Sequence, residues 1–208
     1  MTAESPAETL VRQLRAAVRD ERVLQAIAEL PRECFVPEDQ RASAWDNVAL
    51  PIGAGQTISQ PLVVARMLEL LRLNPDDRVL DVGTGSGYHA ALLARLAGHV
   101  WTIERHAGLS ARAEDAVRGL GIENVDFVVG DGCEGVPDQA PFDAVNVAAG
   151  AGWPPAQLEA QLAPGGRLVI PVGEESQHLM LVTNTPAGLE RTAHDPVRFV
   201  PLVRGRAR

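Results

Sequence analysis

Aromatic residues and cysteine are scarce in this sequence. Aromatic side chains make up 4% of its 208 residues, so aliphatic side chains must fill the core that a chain of this length can bury. The two cysteines, Cys34 and Cys133, lie far apart and lack both CxxC spacing and the pattern of a secreted disulfide framework. The five histidines show no His-x-x-x-His spacing. We therefore expect a single globular domain with reduced thiols and no metal site.

Long apolar runs and an excess of positive charge are also missing. No apolar run approaches the ~20 residues that span a bilayer, and the N-terminus lacks the basic start and apolar stretch of a secretory signal. Lys and Arg number 19 against 27 Asp and Glu, and the net charge of −8 repels phosphate backbones. No heptad repeat or broad apolar stripe marks an oligomer interface. These absences predict a cytoplasmic monomer without membrane or nucleic-acid partners.

The first part of the chain, residues 1–75, contains helical patterns and one long irregular stretch. Apolar residues recur at helical spacing over 7–19 and 21–29, and a third helix, opened by a proline, is expected over 61–71. Between them, 37–60 has no sustained period and reads as a loop. A segment of that length is usually functional or disordered, and its apolar content favours order.

From residue 76 onward, strand and helix patterns alternate. Strands are predicted at 78–83, 100–104, 125–130, 142–149 and 166–173, and helices at 87–97, 107–120 and 155–162. This alternation over 76–173 predicts a doubly wound, mostly parallel α/β sheet with helices on both faces. Residues 174–208 carry two further strand patterns, at 178–185 and 197–202, which are expected to finish the sheet in antiparallel fashion. The whole chain, 1–208, is thus predicted to be one domain.

A glycine-rich turn follows the first of these strands. In VLDVGTGSGYHAALLA, the residues Gly83, Gly85 and Gly87 allow close approach of the backbone to a ligand. The dinucleotide fingerprint needs a further glycine where this chain has Tyr88, so the loop departs from the pyrophosphate-binding pattern. Asp81 adds negative charge at the strand end, which disfavours a phosphate and suits an ammonium or sulfonium group. S-adenosyl-L-methionine carries both of these groups.

Acidic residues also end the next two strands. Glu104 lies 21 residues after Gly83, where a carboxylate can accept hydrogen bonds from a ribose diol. Asp131, between two glycines, can accept from an adenine amino group. A competing interpretation is that the glycines only make a tight turn and the acids cap helices. It does not explain why such residues end three successive strands, so a site for S-adenosyl-L-methionine is predicted.

Two adjoining stretches, LPIGAGQTISQPLVVARMLELL and VLDVGTGSGYHAALLA, resemble the protein-L-isoaspartate O-methyltransferase family. The similarity runs from about Val23 to Leu202 and includes PRECFVPE, IERHAGL, NVDFVVGDG and QLAPGGRLVIPVG. The glycine loop is shared by many methyltransferases, whereas GQTISQP is much more specific to this family. The resemblance implies the class I fold of S-adenosylmethionine-dependent methyltransferases, a Rossmann-like sheet with N-terminal helices and antiparallel C-terminal strands.

The resemblance also implies a reaction. Such enzymes transfer a methyl group from S-adenosyl-L-methionine to the α-carboxylate of L-isoaspartyl residues in damaged proteins or peptides, leaving S-adenosyl-L-homocysteine. The ester then yields a succinimide, which leads to repair. A carboxylate is already ionised at neutral pH, so the transfer needs alignment and exclusion of water rather than a strong base.

Site residues carry over position by position. The resemblance implies that Ser59 of the ISQP block is the catalytic residue and that Gln56, Thr57 and Ile58 bind the substrate beside it. The implied cofactor-binding residues are Asp81, Gly83, Thr84, Gly85, Ser86, Gly87, Glu104, Arg105, Asp131 and Gly132. A neutral hydroxyl at Ser59 can hold one carboxylate oxygen without quenching its nucleophilicity. A second interpretation makes Ser59 the N-cap of the helix that Pro61 opens, a role that is compatible with substrate contact.

The end of the fourth strand departs from the family pattern. The family reads close to VTAAA there, whereas this chain has Val-Ala-Ala-Gly-Ala at 147–151, and Asn146 stands in an otherwise apolar strand. We expect Ala148 to border the substrate pocket, so the change bears on substrate preference. Smaller departures are His89, in place of a usual glutamine, and Trp45, in place of a usual tyrosine.

Two alternatives to general repair stay open on the sequence. Relatives of the repair enzyme methylate one aspartate of a dedicated, ribosomally made peptide by the same ester chemistry, and the change at Ala148 suits an altered substrate. No extension for docking such a peptide is evident, so general repair is favoured. The other alternative, a non-catalytic module that only binds the cofactor, is disfavoured because Asp81, Glu104 and Ser59 are all present.

Overall fold

Helices and a hairpin make up the N-terminal part of the computed structural model, which describes residues 4–207. The elements are α1 (Pro6–Leu14), α2 (Glu21–Glu29), 3-10 helices at Arg32–Phe35 and Glu38–Ser43, β1 (Leu50–Gly53), β2 (Gln56–Ile58) and α3 (Pro61–Leu71). The bounds of α2 and α3 are those predicted. The first helix ends at Leu14 rather than at residue 19, and a turn leads to Asp20, whose carboxylate caps α2 by accepting from the Arg22 and Val23 amides.

The segment 37–60, predicted as a loop, contains a short hairpin. Strands β1 and β2 pair antiparallel with Leu50 opposite Ile58, and both side chains are buried together with Ile52. Strands of four and three residues are too short to show an alternating pattern in the sequence. The segment is ordered, as its apolar content indicated.

The rest of the chain builds a seven-stranded sheet with helices on both faces. Its elements are β3 (Arg78–Val82), α4 (Tyr88–Leu96), β4 (His99–Glu104), α5 (Ala107–Gly119), β5 (Val125–Val129), a 3-10 helix at Pro137–Gln139, β6 (Phe142–Val147), α6 (Ala156–Glu159), β7 (Leu162–Val172), β8 (Gln177–Thr185) and β9 (Gly188–Val197). The strand order is β5-β4-β3-β6-β7-β8-β9. Strands β3 to β7 run parallel, and β8 and β9 are antiparallel. The predicted fold class is confirmed.

Alternate residues of the central strands face two apolar layers. Val79 of β3 belongs to the larger buried cluster, which also contains apolar side chains of α1, α2, α3 and α4. Its neighbours Leu80 and Val82 belong to a second cluster with Phe142 of β6 and Leu158 of α6. Burial on both faces explains the nearly continuous apolar runs of these strands in the sequence. Across residues 4–207, no helix is both long and apolar enough to cross a membrane.

Two predictions for the C-terminal half were wrong. The helix expected at 155–162 is the single turn α6, because Leu162 already belongs to β7. The last strand is not 197–202 but β9, an edge strand whose mostly exposed side chains show no apolar alternation. The apolar run after β9 continues to Gly150 instead, where Pro201 forms an isolated parallel bridge, and its backbone bonds Gly150 through the Val200 carbonyl (2.8 Å) and the Leu202 amide (2.7 Å).

Candidate functional site

A cavity lies beyond the carboxyl ends of β3, β4 and β6. Open parallel sheets place their ligands at this edge. The residues predicted from the sequence that line the cavity are Gln56, Thr57, Ile58, Ser59, Gly83, Thr84, Gly85, Ser86, Glu104, Arg105, Gly132 and Ala148. Asp81, Gly87 and Asp131 do not line it, although a chain neighbour of each of them does. The structure therefore brings the predicted substrate and cofactor residues to one site.

The glycine loop between β3 and α4 forms one wall of this cavity. Gly83, Gly85 and Gly87 all have positive φ, at 94°, 53° and 87°, a region that residues with a Cβ avoid. A Cβ on Gly87 would also lie 3.1 Å from the Ala113 Cβ of α5. The G-x-G-x-G spacing thus combines a left-handed turn with close packing of the loop on a helix. It leaves bare backbone facing the cavity at Gly83 and Gly85.

Asp81 lies behind the glycine loop and is fully buried. Its carboxylate accepts one hydrogen bond from the Asn146 amide (2.8 Å) and one from the Thr102 hydroxyl (2.8 Å). The Thr102 hydroxyl in turn lies 2.6 Å from that of Thr84 in the loop. Burial raises the pKa of Asp81 to about 6, although the hydrogen bonds from Asn146 and Thr102 oppose the shift. Direct contact of Asp81 with a cofactor stays a prediction. The geometry favours an indirect role, in which the charge of Asp81 attracts the cofactor and its hydrogen bonds help to position the glycine loop.

Glu104, at the end of β4, is held by two backbone amides. Its carboxylate accepts from Gly85 (2.9 Å) and from His106 (3.0 Å), and only 6% of the residue is exposed. Each carboxylate oxygen can accept a second hydrogen bond. Glu104 therefore ties the glycine loop to β4 and still offers acceptors to the cavity that it lines.

Asp131 faces the C-terminal segment rather than the cavity. Its carboxylate accepts from the amides of Cys133 (2.8 Å) and Gly205 (2.6 Å). Burial on its own would raise the pKa of Asp131, but these hydrogen bonds outweigh it and lower the pKa. A second tail contact joins the Ala207 amide to the Arg105 carbonyl at 3.1 Å. The prediction that Asp131 binds adenine stays untested by this geometry, whereas its neighbour Gly132 does line the cavity.

Ser59 lies between β2 and α3, and it is not the helix cap. The N-cap of α3 is Gln60, which makes no side-chain cap bond, and the free amide of Leu62 donates instead to the side-chain oxygen of Asn47 (3.0 Å). The interpretation of Ser59 as the N-cap is therefore wrong. Within residues 4–207 nothing accepts from or donates to its hydroxyl, and the residue lines the cavity.

Several residues of the cavity wall had no clear signal in the sequence. Residues 200–203 line it because the chain after β9 bonds to Gly150, which follows β6. Tyr88 and His89, in the first turn of α4, line it as well, and both are almost fully buried. Within residues 4–207 the Tyr88 hydroxyl and His89 Nε2 have no hydrogen-bond partner. Burial lowers the pKa of His89 to about 4, so its imidazole is neutral at physiological pH.

A second cavity adjoins the first on the side of Ser59. The two share Thr57, Ser59, Ala148 and Val200. Among residues 4–207, the only charged residue that lines the second cavity is Arg198. Ala148 thus lies where the cavities meet, which is where the sequence placed the substrate pocket.

The family described as protein-L-isoaspartate(D-aspartate) O-methyltransferase matches this chain over residues 5–207. A protein-L-isoaspartate O-methyltransferase of Roseiflexus castenholzii is 51% identical over 195 residues, which cover 93% of this chain and 89% of the relative. One of Aeromonas hydrophila with the same name is 50% identical over 199 residues, 95% of this chain and 97% of the relative.

Solved structures agree with these relatives. A protein-L-isoaspartate O-methyltransferase superposes with a TM-score of 0.86 and 30% identity, covering 94% of this chain and 65% of that longer chain. An enzyme of that name from Plasmodium falciparum, in complex with S-adenosyl-L-homocysteine, gives a TM-score of 0.83 at 25% identity, covering 96% of this chain and 99% of the other.

Proposed function

The chain belongs to the protein-L-isoaspartate(D-aspartate) O-methyltransferase family, and we propose that its cavity methylates the α-carboxylate of L-isoaspartyl residues in proteins and peptides. The methyl donor is S-adenosyl-L-methionine, whose product S-adenosyl-L-homocysteine is bound in the relative from Plasmodium falciparum. One observation carries the proposal. The unbonded Ser59 hydroxyl of the GQTISQP block and the glycine loop with Glu104 face one cavity.

The residues of the site fit S-adenosyl-L-methionine. Gly83 and Gly85 present backbone without side chains, in a conformation that a Cβ would strain. Glu104 offers acceptors for the hydroxyls of a ribose, and Asp81 adds negative charge behind the loop. When bound, the cofactor supplies a methyl group carried on a positively charged sulfur. The loop lacks the phosphate-binding pattern, and the negative charge of the acidic side chains attracts such a cation.

The acceptor carboxylate needs a binding group more than a base. It is ionised at neutral pH, and His89, a buried histidine of the cavity wall, is neutral at that pH. We assign Ser59 to hold one oxygen of the acceptor through its hydroxyl, with Thr57 and Ile58 beside it. The apolar segment at 200–203 lines the cavity, and we assign it to limit the access of water to the reacting atoms.

The biological setting is part of the same proposal. Family resemblance implies that the methyl ester yields a succinimide and leads to repair of damaged proteins. We propose that one domain, residues 1–208, does this as a monomer in the cytoplasm, with 1–75 and 174–208 serving the substrate and 76–173 the cofactor. The free thiols of Cys34 and Cys133 and the acidic composition support that setting.

A dedicated peptide substrate is the second candidate. The observation that favours it is the position of Ala148, on the shared wall of the two cavities, where the family usually carries threonine. The other departure in this strand has a different explanation, since Asn146 bonds Asp81 on the cofactor side. The change at Ala148 is a single residue, whereas the chain is similar to the family over most of its length, so general repair remains the proposed function.

Methyl transfer to a short isoaspartyl peptide is the direct test. The protein is incubated with methyl-labelled S-adenosyl-L-methionine and a peptide that contains L-isoaspartate, beside the same peptide with ordinary aspartate. We expect base-labile label on the isoaspartyl peptide alone. If neither peptide is labelled while the cofactor still binds, the repair function is wrong, and the dedicated-peptide alternative becomes the better account.

A further inference from the structure

The guanidinium of Arg32 is buried close to the site, and no step described above uses it. Arg32 belongs to the PRECFVPE block, in the 3-10 helix before the hairpin, and its relative exposure is 0%. Arginine stays protonated in proteins, so this side chain is a buried cation. Burying a charge costs free energy unless neighbouring groups compensate it, so the surroundings of Arg32 matter.

Arg32 is compensated by backbone carbonyls. Its Nη1 donates to the Ala44 carbonyl, and its Nη2 donates to the carbonyls of Val48 and Ser59, both at 3.1 Å. The guanidinium also stands 5.7 Å from the ring centroid of Tyr88 in α4, on the cavity wall. These partners lie on segments far apart in the chain. One side chain thus joins the loop before β1, the residue after β2 and the start of α4.

No carboxylate pairs with this cation within residues 4–207. Asp46 is the acidic residue whose charge acts on Arg32; its backbone carbonyl lies 3.5 Å from Nη1, and its side chain is exposed. Backbone carbonyls accept from Nη1 and Nη2, whereas the buried Nε has no hydrogen-bond partner within residues 4–207, and the net charge stays in place. The positive potential of Arg32 therefore extends to Ser59, and a medium of low dielectric strengthens it.

We propose that Arg32 is a positioning residue for the acceptor: it holds the Ser59 backbone in place and favours an anionic carboxylate at the Ser59 hydroxyl. The inference rests on the proposed function. It explains how one site binds two ligands of opposite charge. Asp81 and Glu104 serve the cationic cofactor on the loop side, and Arg32 serves the anionic acceptor on the hairpin side. It also explains the residue type, since arginine presents its donors in a rigid planar fork, whereas lysine carries a compact ammonium on a flexible chain.

The test compares Arg32→Met and Arg32→Lys with a matched control, Arg22→Met. Arg22 also donates to two backbone carbonyls, those of Leu73 (2.7 Å) and Leu96 (3.0 Å), but it lies away from the cavity. We expect Arg32→Met to raise KM for the isoaspartyl peptide at least tenfold and to leave the Kd of S-adenosyl-L-homocysteine within threefold. Arg32→Lys should fall between Arg32→Met and the wild type, because it restores the charge but not the fork. Arg22→Met should lower the Tm without changing KM.

Hydrogen exchange gives a second readout that needs no activity. In Arg32→Met, amides of residues 44–59 should exchange faster, and those of β3 and β4 should not. If Arg32→Met fails to fold, Arg32→Lys carries the same comparison. An unchanged KM in a folded variant, or an equal rise in the Kd of S-adenosyl-L-homocysteine, overturns the inference. A wild-type protein that leaves the isoaspartyl peptide unlabelled overturns the proposed function instead, and the exchange of 44–59 then decides the positioning role.

Discussion

At the scale of single residues, Ser59 and Asp81 have different roles in the proposed site: Ser59 serves the acceptor, and Asp81 serves the cofactor. Ser59 has a hydroxyl without a partner among the described residues, placed where two cavities meet. Each carboxylate oxygen of Asp81 accepts one hydrogen bond, and the residue is fully buried and does not line the cavity. A free hydroxyl is suited to bind a ligand directly, whereas a buried carboxylate outside the cavity lining acts through its charge and the residues that it holds.

Replacing Ser59 by alanine should lower turnover and spare cofactor binding. A hydrogen bond to a charged group contributes roughly 1.5–3 kcal/mol, so kcat/KM for the isoaspartyl peptide should fall about 10- to 100-fold. The Kd of S-adenosyl-L-homocysteine, measured by calorimetry, should not change. Ser43→Ala, on the 3-10 helix Glu38–Ser43, is the matched control. Collapse of cofactor binding in Ser59→Ala would mean that Ser59 is structural.

Cofactor affinity should weaken as pH falls through the pKa of Asp81. Burial raises that pKa to about 6, so Asp81 is ionised at pH 7.5 and takes up a proton below pH 6. The cationic cofactor then loses a nearby negative charge, and we expect a Kd up to about fourfold higher at pH 5.5, equivalent to ~0.8 kcal/mol. Titration calorimetry from pH 5.5 to 8 measures the effect. The pH dependence should be much smaller in Asp81→Asn.

The raised pKa of Asp81 has the opposite consequence for the stability of the fold, which should increase as pH falls. The folded protein holds the Asp81 proton more tightly than the unfolded chain, whose pKa stays near ~4. The buried, ionised carboxylate therefore lowers the free energy of unfolding above pH 6, and this cost disappears as pH falls toward 4. Asp81→Asn should raise the Tm at pH 7.5 relative to wild type and leave it little changed near pH 4. An equal difference in Tm at both pH values would contradict the assignment.

At the scale of elements, the N-terminus of α3 depends on a residue from another segment. The amide of Leu62 donates to Asn47, which lies 15 residues earlier in the chain. Asn47→Ala should destabilise the protein by about 1 kcal/mol, the usual effect of losing such a cap, as measured by urea unfolding. Asn47→Asp keeps an acceptor at the positive end of the helix and should retain the stability. Because α3 follows Ser59 directly, Asn47→Ala should also raise KM for the peptide.

At the scale of the whole molecule, the C-terminal segment contributes to the site. The amides of Gly205 and Ala207 bond Asp131 and Arg105, and residues 200–203 line the cavity. Removing 204–208 should free Asp131 and loosen that wall. We expect the Kd of S-adenosyl-L-homocysteine to rise several-fold through faster dissociation, as measured by stopped-flow fluorescence, with the Tm little changed. A truncated protein with unaltered release would show that the tail does not close the site.

The sequence by itself determined the sheet, the glycine loop and the GQTISQP block. Parallel strands buried on both faces produce apolar runs separated by helices, and positive φ at Gly83, Gly85 and Gly87 requires glycine, so these features can be read locally. The tertiary structure alone decided where polar groups find their partners. It placed Asn47 as the cap of α3, Gly205 on Asp131, and Arg32 under Ser59, because such contacts join residues that no local pattern relates. The edge strand β9 was missed for a similar reason, since its pairing with β8 rather than any apolar alternation holds it in place.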